Sequence, residues 1–212
     1  MTPKRAAIVA AVVLFTTGCA AATPTPSPTS PLTSPAATPS PSSSSSATSA
    51  ALPTPSPVPS VPVATGALDV SAWKVSMFAS PSGKIWCAIQ KDAAWCHFPS
   101  DFKGKIPSSK KICPQEQLDV TGVAVGKKVE YFCSGDPTAY PALDSGYGLE
   151  WFASSGYPTV KYSGLVLATL PYKEKLADGS FVCLSQTTGV TCGDMNTGLG
   201  FTMAKAGVTF IS

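Results

Sequence analysis

Seven cysteines and a single histidine are the residues of this chain with the most specific potential chemistry. Zinc sites commonly use closely spaced pairs such as C-x2-C, and dithiol redox sites use C-x-x-C. Neither spacing occurs in the sequence. We therefore predict structural disulfides rather than a metal site, a redox site or a bound cofactor. The six cysteines concerned are Cys87, Cys96, Cys113, Cys133, Cys183 and Cys192.

The cysteine spacing indicates a repeat. Cys87 and Cys96 are nine positions apart, Cys183 and Cys192 repeat that spacing, and a glycine stands four residues before the first cysteine of each pair. Facing cysteines in adjacent antiparallel strands can reach the separation that a disulfide needs. We therefore expect two similar Cys-linked hairpins. The predicted bridges are Cys87–Cys96, Cys183–Cys192 and, by elimination, Cys113–Cys133.

The first hairpin can be built from its cysteines. If Cys87 faces Cys96, the turn is centred on residues 91–92 and Trp86 faces His97. Side chains alternate between the two faces of a strand. One face is then apolar around the cysteines, whereas the other carries Trp86, Trp95 and His97. These three residues are candidate ligand-binding groups for a glycan or a peptide; the alternative, which the sequence leaves open, is that they fill a core.

No catalytic constellation is complete in the sequence. His97 is the only histidine, the six domain cysteines are expected to be oxidised, and the nucleophile motif G-x-S-x-G is absent. We therefore expect a non-enzymatic protein. The alternatives are a cell-wall or glycan hydrolase using Asp144 and Glu150, since paired carboxylates hydrolyse glycosides, and a purely structural envelope subunit.

The N-terminus has the pattern of an export signal. Lys4 and Arg5 precede ten apolar residues, 6–15, which are too few to span a bilayer as a helix. The following FTTGC is similar to a bacterial lipobox, with Thr16 where leucine is usual. We expect a signal peptide over residues 1–18 and lipidation of Cys19. Two acyl chains such as palmitate would anchor the protein stably at the outer face of the cell membrane. The alternative is cleavage after residues 20–22 and release as a soluble secreted protein.

A low-complexity segment follows the predicted lipidation site. Residues 23–63 contain only Pro, Ser, Thr, Ala, Leu and Val. Such a composition cannot bury enough apolar surface to offset the entropy of ordering. We predict a disordered, lipid-anchored linker over residues 19–66.

Residues 67–212 are expected to form one domain. They hold 13 lysines, no arginine and 12 acidic residues, a formal balance of +1. The lack of arginine, the preferred fork for phosphate and base recognition, argues against nucleic acid as a partner. Runs of β-branched and aromatic residues at 120–126, 127–133, 159–170, 200–204 and 207–211 predict a mainly β fold, a small sandwich or open barrel.

Several motifs carry a resemblance to known proteins. SPSGKIWCAI (80–89), YFCSGD (131–136), TLPY (169–172), GVTCGDMNTGLGF (189–201) and GVTFI (207–211) resemble a family of actinobacterial exported or lipid-anchored proteins with a Cys-rich domain of unknown function. The resemblance implies export and six paired cysteines, and it implies no activity. Leu199 stands where the family pattern favours histidine, and Lys173 where it favours glycine, so any site built on that histidine would be missing here.

Overall fold

The computed structural model describes residues 59–115, 117–135 and 140–212. The predicted signal peptide, the lipidation site Cys19 and most of the predicted linker lie outside these residues. Neither of the short helices in the described part is long and apolar enough to cross a bilayer.

The described residues form β-strands with two short helices. In chain order the elements are β1 (Leu68–Asp69), β2 (Ser76–Ala79), β3 (Trp86–Gln90), β4 (Ala93–His97), α1 (Ser109–Ile112), β5 (Asp119–Val125), β6 (Val129–Ser134), α2 (Phe152–Ser155), β7 (Thr159–Tyr162), β8 (Leu165–Ala168), β9 (Lys175–Asp178), β10 (Phe181–Gln186), β11 (Gly189–Asp194), β12 (Gly200–Ala204) and β13 (Gly207–Ile211). The N-terminal sheet has the order β2-β3-β4-β5-β6, the C-terminal sheet the order β1-β9-β10-β11-β12-β13, and β7 pairs with β8.

The two sheets pack face to face around one core. The core cluster takes buried residues from both, among them Phe78 and Ile89 of the N-terminal sheet and Leu176 and Phe201 of the C-terminal sheet. Both sheets are open at their edges, so the fold is a sandwich and not a barrel. The mainly β, disulfide-stapled architecture that the sequence predicts is confirmed.

The three disulfides are the pairs that the cysteine spacing predicts. Cys87–Cys96 and Cys183–Cys192 each join directly facing residues of a hairpin, and Cys113–Cys133 ties the residue after α1 to β6. The predicted register of the first hairpin also holds, with Trp86 facing His97. Disulfides of this kind are typical of proteins exported to an oxidising compartment.

The repeat extends well beyond the two hairpins. Strands β2–β6 and β9–β13 are both five-stranded antiparallel meanders in which the disulfide links the second strand to the third. Residues at corresponding positions of the two meanders also touch each other across the core. The Sγ atoms of Cys96 and Cys192 are 4.0 Å apart, and the rings of Tyr131 and Phe210 are 5.3 Å apart.

One ion-pair group ties the two meanders together at their surface. Asp101, in the loop between β4 and β5, accepts from Lys84 Nζ at 2.7 Å and from Lys205 Nζ at 2.9 Å. Lys84 precedes β3, and Lys205 lies in the turn between β12 and β13. These two ammonium groups lower the pKa of the Asp101 carboxyl to about 2.

Each sheet has a partial cover on its outer face. The β7–β8 hairpin, where the run at 159–170 is broken by a turn at Ser163-Gly164, packs with residues 140–152 on the N-terminal sheet. The other cover is residues 59–63, here called the strap, which run along the C-terminal sheet.

The strap is held at two points. Lys175 Nζ donates to the Val63 carbonyl at 2.9 Å and also to the Thr65 carbonyl. Val61 lies over Gly193, where a Cβ would come within 2.7 Å of both Val61 methyl carbons. Ordered packing therefore begins ahead of the predicted domain boundary at residue 67.

Candidate functional site

The outer face of the β3–β4 hairpin is where the sequence places Trp86, Trp95 and His97. The structure confirms that all three share this face, with Trp86 directly opposite His97 and Trp95 opposite Ala88. The face is half covered. Both tryptophans are half-buried, and His97 is only 7% exposed. The hairpin therefore offers no flat aromatic platform, and any ligand must enter a groove beside the cover.

Trp86 forms the wall of such a groove. Its ring lies 4.2 Å from that of Tyr140 and 6.2 Å from that of Tyr162, centroid to centroid. Its Nε1 donates to the Gly83 carbonyl at 2.7 Å. With one side packed on two tyrosines and its only N–H already used, the indole presents a fixed apolar surface to the groove.

His97 lies at the base of the same groove. Burial lowers the pKa of its imidazole below the usual 6.5, and a hydrogen bond with the backbone of Thr121 opposes this only in part. Its ring meets Phe132 edge to face at 5.2 Å. The imidazole is therefore neutral at pH 7 and can both donate and accept hydrogen bonds.

A β-bulge shapes the polar side of the groove. In the β5–β6 ladder Val120 faces Cys133 and Gly122 faces Phe132, so Thr121 is the extra residue. The corresponding β12–β13 ladder runs without a break. The Thr121 hydroxyl lies 2.9 Å from the hydroxyl of Ser134. Bulges redirect side chains and are over-represented beside functional sites.

Together these residues enclose an open groove of about 340 Å³. It is lined by Trp86, His97, Phe98, Asp119, Thr121, Ser134 and Gly135. One aromatic wall faces two hydroxyls, a neutral imidazole and one exposed carboxylate. Sugars present apolar C–H faces and many hydroxyl groups, so this combination suits a neutral, polyhydroxylated ligand. We call it the Trp86 groove.

The structure separates Trp95 from this groove. Trp95 packs instead against a second cluster that includes Met77, Ala88 and Leu149. Of the three predicted binding residues, Trp86 and His97 are brought together and Trp95 supports the cover.

The carboxylates of the hydrolase alternative lie elsewhere. Asp144 and Glu150 are both exposed, and neither lines the Trp86 groove. Trp151, beside Glu150 in sequence, is fully buried and donates its Nε1 hydrogen to the Met77 carbonyl at 3.0 Å. It is part of the core and is not available to hold a sugar.

Sequence reasoning missed the polar half of the groove. Thr121, Asp119 and Ser134 lie on strands about 25 to 50 residues from Trp86, and no motif connects them to it. One signal was present, because a glycine inside a strand often marks a bulge. Gly122 is such a residue, since a Cβ there would come within 2.3 Å of the Cys96 carbonyl oxygen.

Comparison with protein-family models, curated proteins and solved structures finds no match to this chain.

Proposed function

We propose that the protein is a cell-envelope lipoprotein whose sandwich domain binds a neutral glycan in the Trp86 groove. The observation that carries the proposal is the meeting of the Trp86 wall with the Thr121–Ser134 hydroxyl pair at a bulge that the other meander lacks. The likeness to actinobacterial exported proteins supports the envelope location and adds no activity. A role without catalysis fits a groove with one neutral histidine and one carboxylate.

The binding test uses the full chain with Cys19→Ala, which makes a soluble product. Saturation-transfer NMR against a panel of neutral envelope oligosaccharides should show contact with at least one of them. Thr121→Val removes a hydroxyl while keeping the shape of the side chain, and we expect it to weaken binding about three- to tenfold. Asp144→Asn is the matched control, since it alters an exposed polar group outside the groove and should leave binding unchanged.

Two results would count against the glycan proposal. One is the absence of transfer from every oligosaccharide in the panel. The other is equal binding by wild type and Thr121→Val. Turnover of an oligosaccharide by wild type, lost in Glu150→Gln, would instead favour the hydrolase alternative.

The anchor is tested separately. We expect the wild-type protein to fractionate with membranes and Cys19→Ala to be released, because acyl chains supply the attachment. Globomycin, which blocks lipoprotein signal cleavage, should cause the precursor to accumulate. Unchanged processing and fractionation in both experiments would contradict lipidation at Cys19.

A further inference from the structure

A second cavity lies at the opposite end of the β3–β4 hairpin from the Trp86 groove. It has a volume of about 700 Å³ and opens between the segment after β1, the β3–β4 turn and the end of β9. Its lining includes Ser71, Trp73, Gln90, Asp92 and Asp178. We call it the Asp178 cavity.

Asp178 is the unusual group in this lining. It ends β9 and is only 3% exposed, and it follows the inward-facing Leu176 by two residues, so its side chain also points between the sheets. Among the described residues, no side chain or backbone group forms a hydrogen bond or ion pair with its carboxylate. A buried carboxylate without such a partner is costly.

The surrounding charges increase that cost. Burial raises the pKa of the Asp178 carboxyl, and the negative charges of Asp69 and Asp92 raise it further. Lys91 opposes them, and Lys74 also lines the cavity, but both lysines are exposed. A positive charge entering the cavity would relieve both the burial cost and the repulsion between carboxylates.

The spacing of the acids favours an organic cation over a metal ion. Within the described ranges, the cysteine sulfurs are the only ligand atoms of three or more residues grouped within 4.8 Å, and they are oxidised as disulfides. The carboxylates around Asp178 therefore do not converge as calcium or magnesium would require. A larger ligand could satisfy them one at a time.

The remaining lining suggests which organic cation. Trp73 is half-buried and forms an aromatic wall, a surface that attracts cations. The Gln90 amide donates to Asp92 Oδ1 at 2.8 Å, which leaves the Gln90 carbonyl oxygen as an acceptor. A quaternary ammonium would require several aromatic walls, whereas a primary ammonium requires one apolar side and several acceptors.

We propose that the Asp178 cavity binds a primary alkylammonium group, with Asp178 as its counter-ion and Trp73 against its alkyl chain. This site is independent of the Trp86 groove, and either proposal can fail without the other.

The test titrates the full-length Cys19→Ala protein with n-butylammonium and follows the Asp178 side-chain carboxyl by carbon-13 NMR. Binding should shift that resonance and lower the pKa of Asp178, because the ligand cation stabilises the carboxylate. Asp178→Asn should bind at least about tenfold more weakly. Asp144→Asn removes one exposed carboxylate elsewhere and should bind as wild type does.

Two further ligands make the test specific. 1-Butanol has the same alkyl chain without the charge, and tetramethylammonium has the charge without N–H donors; both should bind at least about tenfold more weakly than n-butylammonium. Asp178→Asn removes an unfavourable buried charge and is expected to fold, which its NMR dispersion will check. If that spectrum is lost, Trp73→Leu serves as the second variant, with the same expected loss of binding. The proposal is overturned if 1-butanol binds as tightly as n-butylammonium, if the pKa of Asp178 does not fall, or if the folded variants bind as wild type does.

Discussion

Removing the two hairpin disulfides should be non-additive, because they touch. The perturbation is Cys87→Ala with Cys96→Ala, then Cys183→Ala with Cys192→Ala, and then all four together. Each bridge spans nine residues in sequence. Constraining a loop of that length lowers the entropy of the unfolded chain enough to stabilise the fold by about 2.6 kcal/mol. Each pair of substitutions should therefore cost at least about that much.

The coupling follows from the 4.0 Å contact between Cys96 Sγ and Cys192 Sγ in the core. Each pair removed alone loses this contact, whereas the fourfold variant loses it only once. Its cost should therefore fall short of the sum by at least about 0.5 kcal/mol, the lower end for residues in direct contact. The control is Cys113–Cys133, which spans 20 residues, stabilises by about 3.3 kcal/mol on the same reasoning, and lies outside the core cluster. Its removal should add to that of either hairpin bridge.

The assay is urea unfolding of each oxidised variant under one set of conditions, compared as free energies of unfolding. The reasoning is refuted if the fourfold variant costs the full sum within 0.3 kcal/mol, a margin chosen to lie below the coupling expected. Non-additivity of the same size with Cys113–Cys133 would refute it equally, because the effect would then not depend on contact.

Four other outcomes are expected from single positions. Lys173 has a φ of 74°, a left-handed conformation that glycine adopts without strain, so Lys173→Gly should raise the free energy of unfolding by about 0.5–1 kcal/mol in urea; a decrease would contradict this. The pKa of Asp101 is about 2 in the folded protein against 3.8 in its absence, so its contribution to stability is complete above pH 4 and is lost as the pH falls towards 2; Asp101→Asn should flatten acid unfolding over that range, and an unchanged profile would contradict it. The pKa of His97 lies below 6.5, so the unfolded chain binds more protons than the folded one just below that pH and stability should rise with pH there; an NMR titration giving a pKa of 6.5 or more would exclude this. Gly193→Val should displace the strap, because its Cβ would collide with Val61, and thermolysin should then cleave faster within 61–64 than in wild type or Thr202→Val; equal rates would show that the strap does not depend on this slot.

The sequence predicted those parts of the fold that depend on local periodicity. The cysteine spacing and the alternation of side chains determine the register of both hairpins, since a shift of one residue would place every apolar side chain on the wrong face. Short strands such as β2 and β9 were missed, because four residues show too little alternation to be recognised. Pairing between β4 and β5, which brings Thr121 towards His97, crosses a loop of 21 residues and has no local signal.

The half-covered state of Trp86 could not be predicted for a related reason. Its cover comes from Tyr140 and Tyr162, more than 50 residues away, in a segment without a counterpart in the other meander. Asp178 was equally hidden, because its environment depends on how the end of β9 meets the β3–β4 turn across the sandwich.

The contacts between corresponding residues of the two meanders have a consequence for assembly. A surface that meets its own copy, as Cys96 meets Cys192 and Tyr131 meets Phe210, is the mark of an isologous two-fold interface. The core of this domain thus has the form of a homodimer interface enclosed within a single chain, as gene duplication and fusion of a one-sheet ancestor would produce. Each half then carries the complement of its partner half, so a chain that opens can close with a second open chain and form a domain-swapped dimer.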